Sequence, residues 1–256
     1  MKAGISPSEQ LKNVITKAPG YTAFLPYLQP FSNTYGSIDR LKAAYEPLLE
    51  IDGVVGLAIG TRPDCFSDGI FDYLKDLSAR TYLSIEIGLQ SANNDVLARN
   101  NRGHTYEDFT STVKRLGDYG IETVAHVMLG LQGDTHNTMI ETADKLARLP
   151  VSGVKVHQLM IIRGTECEKW HNNGTIHPFA LDEYTVVLCE FLQHLHPRQH
   201  IHRIVADSRL DLGLVAPLWS AQKAAALSYI HAYMDKYAVM QGSAFCIEEQ
   251  KAGDYK

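Results

Sequence analysis

The chain has 256 residues, of which 45% are hydrophobic and 21% charged, a composition typical of a folded globular protein rather than of a disordered or fibrous one. Its net charge of −5 gives no global basic surface for nucleic acid. No apolar run reaches the roughly 18 residues of a membrane span, and no apolar signal core follows Met1, so we expect a cytoplasmic protein without a membrane partner.

Helix and strand patterns alternate along the first 162 residues. Ser6, Pro7 and Glu9 form a capping box that predicts a first helix, and Pro19-Gly20 ends it. An extended apolar segment, interrupted by prolines, follows over residues 21–31. The predicted helices are then 38–49, 70–77, 95–99, 106–119 and 138–149, and the predicted strands are 54–59, 82–89, 122–129 and 153–161.

The predicted strands are almost continuously apolar, as parallel strands covered on both faces are. Alternation with helices predicts an α/β fold with a parallel sheet, either open or curled into a barrel. After residue 162 the pattern changes to helices 167–171 and 181–194, a short strand 201–205 and a last helix 221–237. We therefore predict a barrel unit over residues 1–162 and an α-rich C-terminal extension over residues 163–256.

The order of the first elements raises a question about the sheet edge. A right-handed β/α unit begins with a strand, but this series begins with a helix. The segment 21–31 is then an outer strand whose apolar edge has no partner, which predicts edge-mediated self-association. Either another segment covers that edge or the complete protein has an earlier strand.

Polar residues concentrate where the predicted strands end. In parallel β/α folds these ends carry the active site, so the polar groups are expected to meet in one cleft. The alternative is that each loop is polar because it is solvated. His126 also has two interpretations: it either binds a ligand or is a core histidine whose hydrogen bonds are made within the protein. The groups in question are Asn33, Thr34, Arg62, Asp64, Glu86, Gln90, Arg102, His104, His126, Gln132, Asp134, His157 and Arg163.

Cysteine and histidine spacing argues against a metal site formed by local sequence. The four cysteines, at positions 65, 167, 189 and 246, are too far apart for a Cys-x-x-Cys zinc site or an iron–sulfur loop, so reduced thiols are expected. The histidines at 194, 196, 200 and 202 are interrupted by Pro197 and lack a nearby carboxylate.

The stretch IEIGLQSANNDVLARNNRGHT, together with others in the same order, resembles the radical SAM superfamily. The others are PYLQPFSNTYGSIDRLKAAYEPLL, VVGLAIGTRPDC, HVMLGLQGDT, GVKVHQLMIIRGT, IHRIVADSRLDLGLVAPLW and a late QGS. The chain is similar to the YhcC-type family and, more distantly, to the radical SAM domain of the Elongator catalytic subunit.

This resemblance implies a partial (βα)6 TIM-like barrel with S-adenosylmethionine across the strand ends, against a 4Fe-4S cluster. In the family, three cysteines of a CxxxCxxC-like loop after the first strand hold the cluster, which reductively cleaves S-adenosylmethionine to start radical chemistry. The cofactor supplies the difficult chemistry, and the protein positions and shields it.

The resemblance also transfers roles to individual residues. Gln90 corresponds to a ribose contact, and Arg102 resembles an arginine that binds the methionine carboxylate, a task suited to a guanidinium. His126 corresponds to a polar group near the ribose, and Glu86 is expected to face the barrel interior. Asn33 lies where relatives bind the methionine amino group, and backbone groups of residues 159–161 are expected near the adenine.

The sequence departs from the family pattern in lacking the first strand and the cysteine loop. We therefore expect an N-terminally shortened chain that binds no cluster and is inactive alone. The alternative is a degenerate, non-catalytic module that binds a nucleotide-like ligand or RNA. The likeness to Elongator allows a tRNA substrate, although the acidic composition does not favour one. A metal-free barrel lyase or aldolase is disfavoured, since no lysine or paired carboxylate stands out at a strand end.

Overall fold

The computed structural model of the protein describes residues 5–246. The helices are α1 (Pro7–Thr16), α2 (Ile38–Leu49), α3 (Asp68–Ser78), α4 (Asn94–Arg99), α5 (Tyr106–Asp118), α6 (His136–Ala147), α7 (Glu166–Asn172), α8 (Leu181–His194) and α9 (Lys223–Tyr237). The strands are β1 (Tyr27–Leu28), β2 (Gly56–Thr61), β3 (Tyr82–Gln90), β4 (Glu122–Leu129), β5 (Gly153–Gln158), β6 (Ile161–Ile162), β7 (His200–Arg203) and β8 (Leu214–Ala216). No described helix is long and apolar enough to cross a membrane.

Six strands form one parallel sheet in the order β1-β2-β3-β4-β5-β7. The helices between them cover its outer face, and their apolar sides form the main core with residues such as Leu57, Ile85, Val127 and Phe191. Ser6 and Glu9 form the predicted capping box of α1, and the structure shows a second one at α5, formed by Thr105 and Asp108. The predicted α/β fold is confirmed.

The sheet is curled rather than flat. The ammonium of Lys155 on β5 lies 4.7 Å from the centre of the Tyr27 ring on β1, although three strands separate β5 from β1. In a flat sheet, strands spaced about 4.8 Å apart would place β1 and β5 roughly 19 Å from each other. The two side chains meet because the sheet closes towards a barrel, which brings the inward-facing residues of distant strands together.

The sheet continues past residue 162. Strand β7 pairs in parallel with β5, so the short strand that we assigned to an appended region is the sixth strand of the barrel sheet. The pattern concealed this because β7 has only four residues and reads HIHR rather than as an apolar run. Helix α8 packs on the main core beside α6, and the antiparallel pair β6–β8 forms a second, two-stranded sheet. The division of the chain into two domains at residue 162 remains a prediction.

Strand β1 lies at the sheet edge, as expected, but it is short. Only Tyr27 and Leu28 form a ladder, and Phe24 adds an isolated bridge to Val54. Pro26 and Pro30 flank the pair, and a proline cannot donate to a ladder. Beside this edge a groove of about 500 Å³ runs between α1 and β1, and Val14, Leu25 and Phe31 around it are exposed.

Candidate functional site

A cavity of about 450 Å³ opens at the carboxyl ends of the parallel strands, within the curl of the sheet. This volume is within the range of about 300–1,000 Å³ typical of small-molecule sites. Most of its lining is polar or charged. The lining residues are Tyr27, Gln29, Phe31, Ser32, Gly60, Thr61, Arg62, Glu86, Gly88, Gln90, Arg102, His126, His157 and Arg203. Six of the predicted groups line this cavity: Arg62, Glu86, Gln90, Arg102, His126 and His157. Other predicted groups do not line it, namely Thr34, Asp64, His104, Gln132, Asp134 and Arg163.

Gln90 is held in an unusual backbone conformation. The pairing of β3 with β4 shifts register between Gly88 and Gln90, and Gln90 has a φ of 72°. A non-glycine residue rarely adopts this left-handed conformation, which costs on the order of 1–3 kcal/mol and is concentrated at functional sites. The bulge aims the side chain into the cavity, where its Nε2 lies above Gly88.

Arg102 reaches the cavity from the loop between α4 and α5. Its Nη2 and the Nε2 of Gln90 both lie close to the position that a Cβ on Gly88 would occupy, at 3.3 and 2.7 Å respectively. Its Nε is buried and has no hydrogen-bond partner among the described residues. Burial, and then the nearby Arg62, lowers the pKa of Arg102. A buried guanidinium nitrogen without a partner is a site prepared for an acceptor.

His104 fixes the Arg102 loop to the bulge of β3. It is 6% exposed, and its ring nitrogens contact two backbone carbonyls, those of Arg102 at 3.2 Å and Leu89 at 3.3 Å. Burial lowers the pKa of His104. The loop that carries Arg102 and the strand end that carries Gln90 are thereby joined, so the two side chains keep a fixed relation.

Glu86 lies at the centre of a buried polar network in the barrel interior. Its carboxylate accepts from Nε2 of His126 at 2.7 Å and from Nζ of Lys155 at 2.5 Å. Burial disfavours the carboxylate, but hydrogen bonds from His126, Lys155 and Tyr27 outweigh that penalty and lower the pKa of Glu86 to about 2. The ionised carboxylate accepts hydrogen bonds only, so His126 donates from Nε2. The network fixes the His126 ring at the cavity wall.

On the β7 side of the cavity, Arg203 donates from Nη2 to Nε2 of His157. Burial first, and then the charge of Arg203, lowers the pKa of His157 to about 3, so this imidazole is neutral at pH 7 and accepts. The His157 ring stacks on His126 at a centroid distance of 5.6 Å. This contact links the Arg203 end of the cavity to the Glu86 network.

Residues of two predicted cofactor contacts do not line this cavity. The side-chain amide of Asn33 donates to the backbone carbonyls of Leu28, Pro30 and Gly60, and Asn33 does not line the cavity. It instead fixes the turn that presents Gln29 and Ser32. The side chains of Leu159 and Ile161 are buried in a second apolar cluster with Val96 and Leu131 and do not line the cavity. The contact of their backbone groups with adenine stays a prediction.

The arrangement fits S-adenosylmethionine but not a 4Fe-4S cluster. The cavity offers the half-buried guanidinium of Arg102, with its unpartnered Nε, for a carboxylate and the amide of Gln90 for hydroxyl groups. The four cysteines lie on separate elements: Cys65 precedes α3, Cys167 is in α7, Cys189 is in α8 and Cys246 follows α9. Within residues 5–246 no group of three or more candidate metal-binding side chains converges. These residues provide no ligand set for the cluster.

The sequence interpretation missed two cavity residues, Tyr27 and Arg203, and also Lys155, which pairs with Glu86 but does not line the cavity. A signal for one of them was present: in the strand GVKVHQ, Lys155 and His157 share one face while Val154 and Val156 share the other. Lys155 lies mid-strand rather than at a strand end, so the search of strand ends passed over it. Arg203 faces the interior because the pairing of β5 with β7 shifts register between Val154 and Lys155, which places Arg203 opposite Lys155.

The chain is similar in sequence to two bacterial proteins and in fold to a solved archaeal structure. YtqA of Bacillus subtilis is 34% identical over 90% of this chain and 71% of its own length. YhcC of Escherichia coli K12 is 31% identical over 93% of this chain and 77% of its own length. The solved structure of the archaeal Elp3 of Methanocaldococcus infernus, with an N-terminal deletion, shares the fold with a TM-score of 0.76 at 17% identity, over 92% of this chain and 59% of that one.

Family models match nearly the whole of the described chain. The model of the radical SAM superfamily matches residues 10–146, and that of the radical SAM C-terminal domain matches residues 151–236. The predicted likeness to the YhcC-type family, and more distantly to Elongator, is confirmed. The superfamily normally binds S-adenosylmethionine and a 4Fe-4S cluster and carries out S-adenosylmethionine-dependent radical chemistry. This chain belongs to the radical SAM superfamily.

Proposed function

We propose that this chain binds S-adenosylmethionine in the cavity at the carboxyl ends of the strands, with Arg102 on the methionine carboxylate and Gln90 on the ribose. The observation that carries the proposal is the buried, unpartnered Nε of Arg102 beside the strained Gln90. When bound, S-adenosylmethionine supplies the 5′-deoxyadenosyl group for radical chemistry.

The residues of the chain itself have binding and positioning roles in this proposal. Arg102 neutralises a carboxylate in a partly buried place, and its planar fork suits two parallel hydrogen bonds. His126, fixed by Glu86, presents its ring to the ribose side of the ligand. Asn33 acts indirectly, by holding the turn that carries Gln29 and Ser32 at the cavity mouth.

We also propose that the 256-residue chain does not hold a stoichiometric four-iron cluster. The distribution of the four cysteines supports this, as does the burial of Cys189 in the core, which raises the pKa of its thiol to about 11. A thiolate, not a thiol, is the ligand for iron, and a raised pKa disfavours it. The chain alone is then expected to bind S-adenosylmethionine without cleaving it.

Isothermal titration with S-adenosylmethionine tests the binding proposal. The wild-type chain is expected to bind one equivalent, and Arg102→Met to weaken binding at least about tenfold, the loss of one charge-assisted hydrogen-bonded contact of about 1.5–3 kcal/mol. Arg99→Met is the matched control, because Arg99 is exposed and lies outside the cavity lining. Equal affinities of wild type and Arg102→Met would contradict the proposed site.

Anaerobic reconstitution with iron and sulfide tests the second proposal. We expect no stable cluster and no reductive cleavage of added S-adenosylmethionine. About four irons per chain together with cleavage would overturn it.

A second candidate function is a non-catalytic module that binds a nucleotide-like ligand or RNA in the same cavity. The retained Gln90 and Arg102, without a cysteine set among the described residues, favour it. Titrations with adenosine and with bulk tRNA distinguish the two functions. Binding of either with higher affinity than S-adenosylmethionine would favour the module.

A further inference from the structure

The charges that line the cavity do not balance. Three arginines, Arg62, Arg102 and Arg203, face it, but Glu86 is its only lining carboxylate among the described residues. Arg62 is paired with Asp64 through two hydrogen bonds of 2.8 and 2.9 Å. Glu86 is paired with Lys155. Two guanidinium groups, those of Arg102 and Arg203, are left without a carboxylate partner.

Arg203 resembles Arg102 in having a buried Nε that no described residue satisfies. The partner it has, His157, is neutral at pH 7 and does not offset its charge. The nearest acidic residue along the chain, Asp207, is paired with Lys223 at 3.1 Å. The Arg203 side chain is half-buried, and an incoming anion would give its guanidinium a negatively charged hydrogen-bond partner.

The two free guanidinium groups lie on different sides of the cavity. Arg102 belongs to the β3 side with Gln90, whereas Arg203 is at the end of β7, three strands away in the sheet order. Arg102 lies beside Gln90, whereas Arg203 lies beside His157, so the two guanidinium groups have different neighbours within the cavity. If Arg102 takes the carboxylate of S-adenosylmethionine, Arg203 remains for a different molecule.

We propose that Arg203, positioned by His157, binds an oxyanion of the substrate, a carboxylate or a phosphate group, and so holds the substrate on the β7 side of the cofactor. The inference rests on the proposed function for the identity of the neighbouring ligand. It names the substrate class as a molecule that carries at least one such anionic group. The bulge of β7 is the structural device that points this guanidinium inward.

The probes are inorganic phosphate and acetate, each titrated against chloride at equal ionic strength in the presence of S-adenosylmethionine. The readout is the side-chain ¹⁵N resonance of His157, which is sensitive to charge on Arg203. We expect one probe or both to shift it saturably. If phosphate binds more strongly, the anionic group of the substrate is assigned as a phosphate; if acetate does, it is assigned as a carboxylate. A wild-type chain whose His157 resonance responds to neither probe overturns the proposal.

Variants assign the effect to the side chain. Arg203→Met is expected to weaken probe binding at least about tenfold, Arg203→Lys to retain part of it, and the exposed Arg198→Met to leave it unchanged. Circular dichroism checks that each variant is folded. If Arg203→Met binds the probes like wild type, the proposal is wrong.

A separate arm keeps this proposal distinct from the binding of S-adenosylmethionine. Arg102→Met is titrated with the same probes without S-adenosylmethionine. Retained probe binding there supports Arg203 even if S-adenosylmethionine fails to bind the wild-type chain. If Arg102→Met loses probe binding and Arg203→Met keeps it, the anion binds to Arg102 and the inference is wrong.

Discussion

Gly88 leaves the space that the Gln90 side chain occupies. A Cβ added at Gly88 would lie 2.7 Å from Nε2 of Gln90 and 3.3 Å from Nη2 of Arg102. The first distance is shorter than a normal contact, so the Gln90 amide must move if Gly88 acquires a methyl group. The absence of a side chain at this one position therefore allows both proposed cofactor contacts to approach the same point.

Gly88→Ala is expected to weaken binding of S-adenosylmethionine about tenfold. Overpacking at a fitted contact costs about 1–3 kcal/mol, and here the displaced groups are the binding groups themselves. Titration calorimetry measures the affinity. Gly20→Ala is the control, because a Cβ there meets nothing within 4 Å. Unchanged affinity in Gly88→Ala would show that the position of Gln90 does not matter for the ligand.

The sequence predicted the site better where strand alternation holds than where it breaks. Glu86 was expected to face the barrel interior, and it does, because β3 is regular up to Gly88. The left-handed Gln90 and the inward Arg203 both depend on register shifts, which no residue pattern in a single sequence specifies. Asn33 was placed near the cavity by its position after β1, but its amide is used by the backbone of its own turn.

The Glu86–Lys155 pair should be strongly coupled. Glu86→Gln leaves the ammonium of Lys155 buried without a counter-charge, and breaking a buried pair in this way costs about 3–5 kcal/mol. The double variant Glu86→Gln/Lys155→Met removes both charges and retains an acceptor for His126. We expect it to be more stable than Glu86→Gln alone. Urea unfolding of the wild type, both single variants and the double variant gives the coupling energy.

A surface pair provides the comparison for this cycle. Arg209 and Asp211 form an ion pair at 2.6 Å, but both side chains are mostly exposed. Their coupling, measured with Arg209→Met and Asp211→Asn, should be no more than about 1 kcal/mol. If the interior pair couples no more strongly than this one, the Glu86 network does not stabilise the barrel.

The apolar groove beside β1 predicts self-association of the purified chain. Val14, Leu25 and Phe31 are 58%, 45% and 89% exposed around an edge strand with one free side. Exposed apolar edges pair with other chains unless a charge interrupts them. Light scattering is expected to show dimers or larger species, and Leu25→Lys to reduce them. Val186→Lys, at an exposed position on α8, is the control. A monodisperse wild-type monomer would contradict the prediction.

His157 predicts how stability depends on pH. Its pKa is lowered to about 3 in the folded protein from 6.5, so between these values the unfolded chain binds a proton that the folded chain does not. The free energy of unfolding should therefore fall as pH decreases below 6.5, by about 1.4 kcal/mol per pH unit for this one group. Above 6.5 His157 contributes no slope. His157→Gln keeps an acceptor for Arg203 but cannot take up the proton.

The difference in unfolding free energy between wild type and His157→Gln isolates this group, because other titrating residues are common to both chains. From about pH 8 to about pH 5 the wild type should lose about 2 kcal/mol more than His157→Gln, as measured by urea unfolding at each pH. His177→Gln, which removes an exposed histidine outside the cavity, is the matched control. Parallel curves for wild type and His157→Gln would mean that His157 is protonated as readily in the folded cavity as in the unfolded chain. The neutral imidazole that accepts from Arg203 would then be the wrong assignment, and the uncompensated charge inferred on Arg203 would have to be reassessed with it.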